Sequence, residues 1–378
     1  MTGLRIAMIG SRGVPATHGG VEHHVEQLGA RLVERGHDVT VYCRTNYLPE
    51  PRSEYRGMRL VSLPSVSSKN LDAIVHSGLS AAHSLFEPYD VVHYHNAGPG
   101  LAAPISRLRR HRRIVLTVHS FNSEHEKWGV AARTLLRTAD RLSVTVPNAT
   151  VVVSRAWQQA IRDRYQRETT VIANGVIPPV PATAGPFLQK LGLTKGRYAL
   201  FVGRLVPEKG IDLLVEGFRA SNLEDPLVIV GGSSFSDEYV QQLHVAAASD
   251  PRIRFVGFRF RDELRELLTN AGCLVQPSRS EGMPLALLEA ASYDLPIVAT
   301  AIPAHVELLH TSRPGLRLCT PLSATALAAA ISQVRNDGQP GATNAREFGA
   351  FVRNSYSWET AADEHEHLYR GLIDRTRP

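Results

Sequence analysis

Two short segments in the second half of the chain place charged side chains where anion and hydroxyl chemistry needs them. In the first, the apolar run Tyr198-Ala199-Leu200-Phe201-Val202 passes into Gly203-Arg204-Leu205-Val206-Pro207-Glu208-Lys209-Gly210. A strand leads into a glycine turn, then Arg204, then a second cation, Lys209, where a helix begins. Helix N-termini favour anions through unpaired N–H groups and their dipole. Arg204 offers a planar fork and Lys209 a point charge. Together with Gly203 they suit a pyrophosphate. The plain alternative is a solvated loop with Lys209 in a surface ion pair.

The second segment is Ser280-Glu281-Gly282-Met283-Pro284-Leu285-Ala286-Leu287-Leu288-Glu289-Ala290, which follows the strand-like Leu274-Val275-Gln276 and Pro277. Pro284 fits the first position of a helix. The N–H groups of Gly282, Met283 and Leu285 then face a ligand. Glu281 precedes the helix and Glu289 lies about a turn and a half inside it. Carboxylates accept hydrogen bonds, so both suit sugar or ribose hydroxyls. Alternatively Glu281 caps the helix and Glu289 is an exposed helical residue.

Three weaker signals lie in the first half. Gly19 and Gly20 sit between a strand and a helix, where backbone can approach a phosphate or an acceptor closely, or can simply turn. Glu22, just inside that helix, suits its dipole. His93 and His95 alternate at a strand end and share one face, but no third metal ligand is evident. The pair is therefore not read as a metal site. Arg107, Arg109, Arg110, Arg112 and Arg113 form a basic run that reads as solvated surface or as a contact for anionic lipid headgroups. No aromatic interleaving accompanies it, so nucleic acid is not expected.

Alternating strands and helices must position these groups. Strands are expected at Arg5–Ile9, 39–43, 59–63, 91–94, 114–118, 151–153 and 170–173. After a stretch rich in proline (Pro178, Pro179, Pro181, Pro186) they resume at Ala199–Val202, Leu227–Val230, 253–256, 274–276 and 297–299. Val21, Val25, Leu28 and Leu32 recur at helical spacing, and Gly36 closes that helix. The pattern predicts parallel sheets covered by helices. The proline-rich stretch reads as an interdomain linker. Domains are expected at 1–175 and 176–355, with the remainder, 356–378, as a closing helix.

At 378 residues, two domains are the natural expectation. A 43% hydrophobic and 21% charged composition excludes global disorder. Cys43, Cys273 and Cys319 form no CxxC pair and read as buried thiols in a reducing compartment. No apolar run is long enough to span a membrane, and a strand begins almost at once, so a secretory leader is not expected. A cytoplasmic location follows. The net charge of +6 suits an anionic ligand or surface. Gly10-Ser11-Arg12-Gly13 is not a dinucleotide fingerprint, and Cys43-Arg44 stands where an acid would bind ribose, so a dehydrogenase is disfavoured. No Asp-x-Asp triplet occurs to clamp a metal diphosphate.

The paired segments resemble the motifs of retaining nucleotide-sugar glycosyltransferases of family 4, with the GT-B fold. The opening "GSRGVPATHGGVEHHVEQLGARLVERGHDVTVYCR" is similar to a bacterial subgroup that includes rhamnosyltransferases. The resemblance covers nearly the whole chain. It implies two Rossmann-like doubly wound domains facing a central cleft, and a last helix, with Trp358 packing, that returns to the first domain. It also implies that Arg204 and Lys209 hold the donor diphosphate, Glu281 the transferred sugar and Glu289 the ribose. His119, in "LTVHS", would lie beside that sugar, and Asn174-Gly175 in "VIANGV" at the hinge. Within "HSFNSEHEKWG", Lys127 and Trp128 match the subgroup. Asn122 and Ser123 stand where aspartate and tryptophan are usual, so if they touch the acceptor, the acceptor differs.

The implied reaction is sugar transfer from a nucleotide-diphosphate sugar to a glycan, lipid-linked or small-molecule acceptor, without metal or cofactor. Peripheral membrane contact would run through Arg107–Arg113. The rival readings are a GT-B nucleotide-sugar epimerase, a silent sugar-nucleotide binder and a basic scaffold for anionic polymers.

Overall fold

Parallel strands covered by helices on both faces are buried throughout, so they read as unbroken apolar runs. Ile6, Ala7, Met8 and Ile9 show the pattern, with no exposed surface at all. The computed structural model describes residues 3–17, 19–47, 52–66, 72–120, 130–233, 237–320 and 322–375. It divides into two units, one of Met1–Gly175 with Trp358–Pro378, the other of Val176–Ser357.

The first unit holds β1 (Arg5–Ile9), β2 (Asp38–Arg44), β3 (Glu54–Tyr55), β4 (Met58–Leu63), β5 (Val91–His95), β6 (Arg113–Val118), β7 (Ala149–Val152) and β8 (Thr170–Val171). They form one sheet in the order β3-β4-β2-β1-β5-β6-β7-β8, parallel except for β3 against β4. The second unit holds β9 (Ala199–Val202), β10 (Leu227–Val230), β11 (Ile253–Gly257), β12 (Cys273–Gln276), β13 (Ile297–Thr300) and β14 (Leu316–Cys319). Its parallel order is β11-β10-β9-β12-β13-β14. Both units are doubly wound α/β folds, as expected. The order reverses between β1 and β5 in one sheet and between β9 and β12 in the other, and ligands of such sheets bind outside the carboxyl ends at that reversal.

Strand alternation sorts the core of the second unit onto two faces. Leu200, Val228, Leu274 and Ile297 enter one cluster, whereas Phe201, Ile229, Val275 and Val298 enter the other. Four helices matter below: α1 (Gly20–Glu34), α2 (Ile211–Arg219), α3 (Leu285–Ser292) and α4 (Trp358–Asp374). Helix α1 buries Val25, Leu28 and Leu32 and ends at Gly36 with a φ of +84°, where His37 N donates to Leu32 O. Helix α4 belongs to the first unit. It is tied to α1 by Arg31–Glu359 at 2.8 Å and by Arg35 to Glu359 and Asp363, and it buries Trp358.

Two expectations are corrected. The proline-rich stretch is not a free linker but part of the second unit. Phe187 and Leu188, on a short helix at Pro186–Lys190, are buried, and the N–H groups of Gly185 and Leu188 donate to Glu266 Oε1 at 2.7 and 2.8 Å. The strand expected at 170–173 stops at Val171, while β14 and β3 were not foreseen. Both are short edge strands, which carry the weakest apolar signal. All three cysteines are free and buried, and burial pushes Cys43, Cys273 and Cys319 up to about 11, 12 and 11. They are structural thiols.

Candidate active site

In the second unit the two motif loops leave neighbouring strands at the reversal point, β9 into Gly203 and β12 into Pro277. Gly210 joins them. It caps α2 with a φ of +67°, and a Cβ there would lie 2.1 Å from Pro277 O, so only glycine fits. Arg279 completes the bond between loops. Its N–H donates to Glu208 O at 2.8 Å, and its guanidinium to Pro207 O at 2.7 Å and to both oxygens of Asp212 at 2.8 and 2.6 Å.

Within this frame Lys209 Nζ sits 2.5 Å from Glu281 Oε1. The same oxygen accepts from Ser278 Oγ at 2.7 Å and from Gln276 Nε2 at 3.0 Å. Burial alone would raise the Glu281 carboxyl, but the Lys209 charge and the hydrogen bonds from Lys209 and Ser278 outweigh it and hold the group below its ordinary value. Glu281 is therefore a fixed anion that steers Lys209, with Oε2 lacking a partner among the described residues. His305 is held neutral mainly by burial, and its Nδ1 lies 2.8 Å from Thr300 O.

Arg204 is exposed, and its side chain has no partner among the described residues. It thus keeps its five donors for an anion. Helix α3 begins at Leu285, with Pro284 at the cap rather than inside the first turn. The N–H groups of Gly282 and Leu285 have no partner among the described residues. Met283 is half-buried against the core of this unit. Glu289 is an exposed residue of α3, as the plain alternative has it. Solvent reaches it, yet the surrounding protein desolvates it and pushes its carboxyl up to about 7.

The first unit builds something different at its own reversal point. Gly19, at the cap of α1, has a φ of +105°, and Gly20 opens the helix at the surface. Glu22 does more than face the dipole, because its Oε1 accepts from Arg12 N at 3.1 Å and ties the preceding loop to α1. His119 follows β6, where Asn96 Oδ1 accepts from the N–H groups of His119 and Ser120 at 3.0 and 3.1 Å. Asn122, Ser123, Lys127 and Trp128 lie outside the described residues.

Around His119 the fold gathers further imidazoles. Its ring centroid is 4.7 Å from that of His24 on α1 and 5.8 Å from that of His95 at the end of β5. His93 and His365 pack behind, with ring centroids 5.5 Å apart. Burial pushes all five down, His365 to about 4 against a hydrogen bond to Ala361 O, and neighbouring imidazoles add to it for His24, His93, His95 and His119, the last reaching about 3. They are neutral at physiological pH, so His119 can exchange hydrogen bonds but cannot act as a cation.

The sequence pair His93 and His95 is split by the fold. Both nitrogens of His93 are occupied, Nε2 by Thr117 Oγ1 and Nδ1 by Tyr369 OH, each at 2.7 Å. Both nitrogens of His95, and Nε2 of His24, His119 and His365, are buried without a partner among the described residues. An unpaired buried donor or acceptor costs about 1–3 kcal/mol. His24 and His119 supply the neighbours that His95 lacked in the sequence. The signal was one histidine on each of three strand–helix junctions, separated too far in sequence to be read as a set.

The basic run divides as well. Arg107 donates to Val146 O at 2.9 Å, Arg109 to Leu85 O at 3.0 Å and Arg113 to Leu372 O at 3.0 Å, and Arg112 is buried against Glu87 O. These arginines satisfy carbonyls, which is a structural task. Arg107, Arg109 and Arg110 remain at the surface beside the exposed Leu108. No helix of the described residues is long and apolar enough to cross a membrane.

Comparison with known proteins adds an independent line. Residues 18–178 match the model for "Glycosyltransferase Family 4", and residues 196–337 match that for "Glycosyl transferases group 1". The glycogen synthase of Mycobacterium tuberculosis is 27% identical over 97% of this chain and 94% of its own length. Sucrose-phosphate synthase from Thermosynechococcus elongatus superposes with a TM-score of 0.82 at 22% identity, covering 99% of this chain and 100% of its own. Anabaena HepE, solved in complex with UDP-glucose, gives a TM-score of 0.80 at 20% identity, covering 97% of this chain and 100% of its own.

Proposed function

Since the chain is a glycosyltransferase of the GT-B fold, with a family 4 domain followed by a group 1 domain, we propose that it moves a sugar from a nucleotide-diphosphate donor to an acceptor hydroxyl with retention at the anomeric carbon. The observation that carries this reading is the Lys209–Glu281 pair at the β9/β12 reversal, with Arg204 unpaired on the same loop. HepE, solved with UDP-glucose, shares this fold and supports a nucleotide-sugar donor.

In the reaction the bond from the anomeric carbon to the diphosphate breaks and one to the acceptor oxygen forms. Positive charge develops on the sugar and negative charge on the leaving diphosphate. Lys209, Arg204 and the N–H groups at Gly282 and Leu285 stabilise the latter without a metal ion, as preorganised donors do. Met283 anchors this loop against the core of the unit, and Gly203 lets the other loop approach the phosphates. The acceptor attacks from the side the diphosphate leaves, and its proton passes to a diphosphate oxygen. Glu281 Oε2 takes a sugar hydroxyl. Glu289, near its titration point at neutral pH, both donates to and accepts from the ribose hydroxyls. On the first unit, neutral His119 is assigned hydrogen bonding to a sugar, and the Gly19-Gly20 turn close approach of a phosphate or an acceptor.

The acceptor hydroxyl belongs to a glycan, glycolipid or small molecule of bacterial glycoconjugate synthesis. Arg107, Arg109, Arg110 and Leu108 offer a small surface for an anionic membrane that carries a lipid-linked acceptor. Thermal-shift measurements with UDP, GDP and dTDP, first in EDTA and then with magnesium, test the donor reading. Selective stabilisation in EDTA is expected, and no shift with any nucleotide would sink it. Product analysis separates transfer from epimerisation.

A further inference from the structure

Three unpaired nitrogens converge in the first unit where no anion-binding motif exists. One nitrogen each of His24, His95 and His119 lie within 4.8 Å of one another. Each comes from a different element, namely α1, the end of β5 and the turn after β6. His24 and His95 have no exposed surface. A zinc-like ion bound by imidazoles at about 2.0–2.1 Å holds tetrahedral ligand nitrogens about 3.4 Å apart. The separations therefore need to close by no more than about 1.4 Å, the difference between 4.8 Å and that spacing.

The surroundings set the tautomer that a metal needs. His24 Nδ1 lies 2.7 Å from Asn174 Oδ1, and an amide oxygen only accepts. The proton therefore sits on Nδ1, and Nε2 presents its lone pair to the cluster. This is the outer-shell arrangement that orients metal-binding histidines elsewhere. Neither thiolate nor carboxylate joins the group, which suits a divalent transition ion rather than calcium or magnesium. Three neutral imidazoles leave a fourth position for water or an oxygen ligand, a set known to bind zinc.

We propose that His24, His95 and His119 form a binding site for one divalent transition-metal ion of the zinc type. The ion takes no part in the transfer. It occupies the His119 lone pair, and so its binding inhibits the reaction; that consequence, unlike the site itself, rests on the role given to His119 above.

The test uses the untagged full chain, stripped with EDTA and desalted, titrated with cobalt(II) and then zinc(II). One cobalt ion per chain is expected, with the visible bands of a low-coordinate imidazole site that zinc displaces. His24→Gln and His95→Gln should each weaken binding at least tenfold, and Asn174→Ala by about tenfold. His111→Gln, at the surface, should leave it unchanged. Wild-type protein that binds no ion at tens of micromolar, or folded His24→Gln and His95→Gln variants that bind like wild type, would overturn the site. Should those variants not fold, zinc-edge X-ray absorption of the wild type decides. Three imidazole nitrogens support the site and any other ligand set overturns it. Zinc bound by these ligands without loss of transfer supports the site and removes His119 from the mechanism.

Discussion

The two sheets reverse their strand order in the same way and then line the reversal with opposite chemistry. At β9/β12 the side chains are charged and knitted together, with Lys209 on Glu281 and Arg279 across Asp212. At β1/β5 they are neutral, buried imidazoles with unpaired nitrogens. A fold this general supplies a place for ligands but not their chemistry. The charged loops suit a diphosphate, which arrives and departs with its own charge. The imidazole cluster carries no charge of its own and suits ligands that accept its lone pairs or share its protons.

The sharpest way to break this contrast is Lys209→Ala. Turnover should fall at least tenfold, and on the order of 10²–10³ if Lys209 acts as a preorganised donor to developing charge. Steady-state kinetics with the donor found by thermal shift measure it, and unchanged turnover would remove the diphosphate assignment.

Acid should separate the two units. The folded values of His119 and His365 are depressed from 6.5 to about 3 and about 4, so their stabilisation is fully present above 6.5 and drains as pH falls toward those values. Glu289 has the opposite sign. Its value is raised from 4.5 to about 7, so its contribution is fully present below 4.5 and is lost as pH rises through 7. Going from pH 7 to 5 should therefore destabilise the first unit while Glu289 favours the second. Trp157 and Trp358 are buried in the first unit, so tryptophan fluorescence during urea unfolding, with Trp128 replaced by phenylalanine, reports on it. A midpoint that stays level or rises on acidification contradicts the neutral-imidazole reading.

Smaller effects test how the charged loops are held. Gly210→Ala meets both a φ of +67° and Pro277 O, and should cost about 1–3 kcal/mol by chemical denaturation. Gly196→Ala has a similar φ, +74°, with nothing within 4 Å, and should cost only about 1–2 kcal/mol. Equal losses would mean that the close approach to Pro277 is not a constraint. Arg279→Ala should change stability least, by about 1 kcal/mol or less, since both partners of its pair are well exposed. Donor KM should rise several-fold with kcat nearly kept; an unchanged KM would show that the loops hold their shape without Arg279.

Apolar runs and turn residues, which are local, placed most strands to within a residue or two, because a parallel strand has to bury both faces. The same locality singled out Arg204, Lys209, Glu281 and Glu289 as candidates, each set within one strand–loop–helix unit. What lay outside local reach was how those groups are partnered. Arg279, Asp212, Ser278 and Gln276 carry no distinguishing pattern, and their roles come from the approach of two loops far apart in sequence, 72 residues in the Arg279–Pro207 contact. The linker was misread for a related reason. Proline density marks irregular backbone, but whether irregular backbone packs depends on partners such as Glu266, far along the chain.

The sequence by itself determined the alternation of elements, the two-unit division and the charged motif of the second unit, because backbone pattern and turn chemistry act over a few residues. Only the tertiary structure decided that His24, His95 and His119 meet, that His93 is fully partnered, and that most of the basic run serves carbonyls. Those outcomes depend on which strand ends the sheet order sets side by side, and hydrogen-bond partners and desolvation exist only once that order has formed.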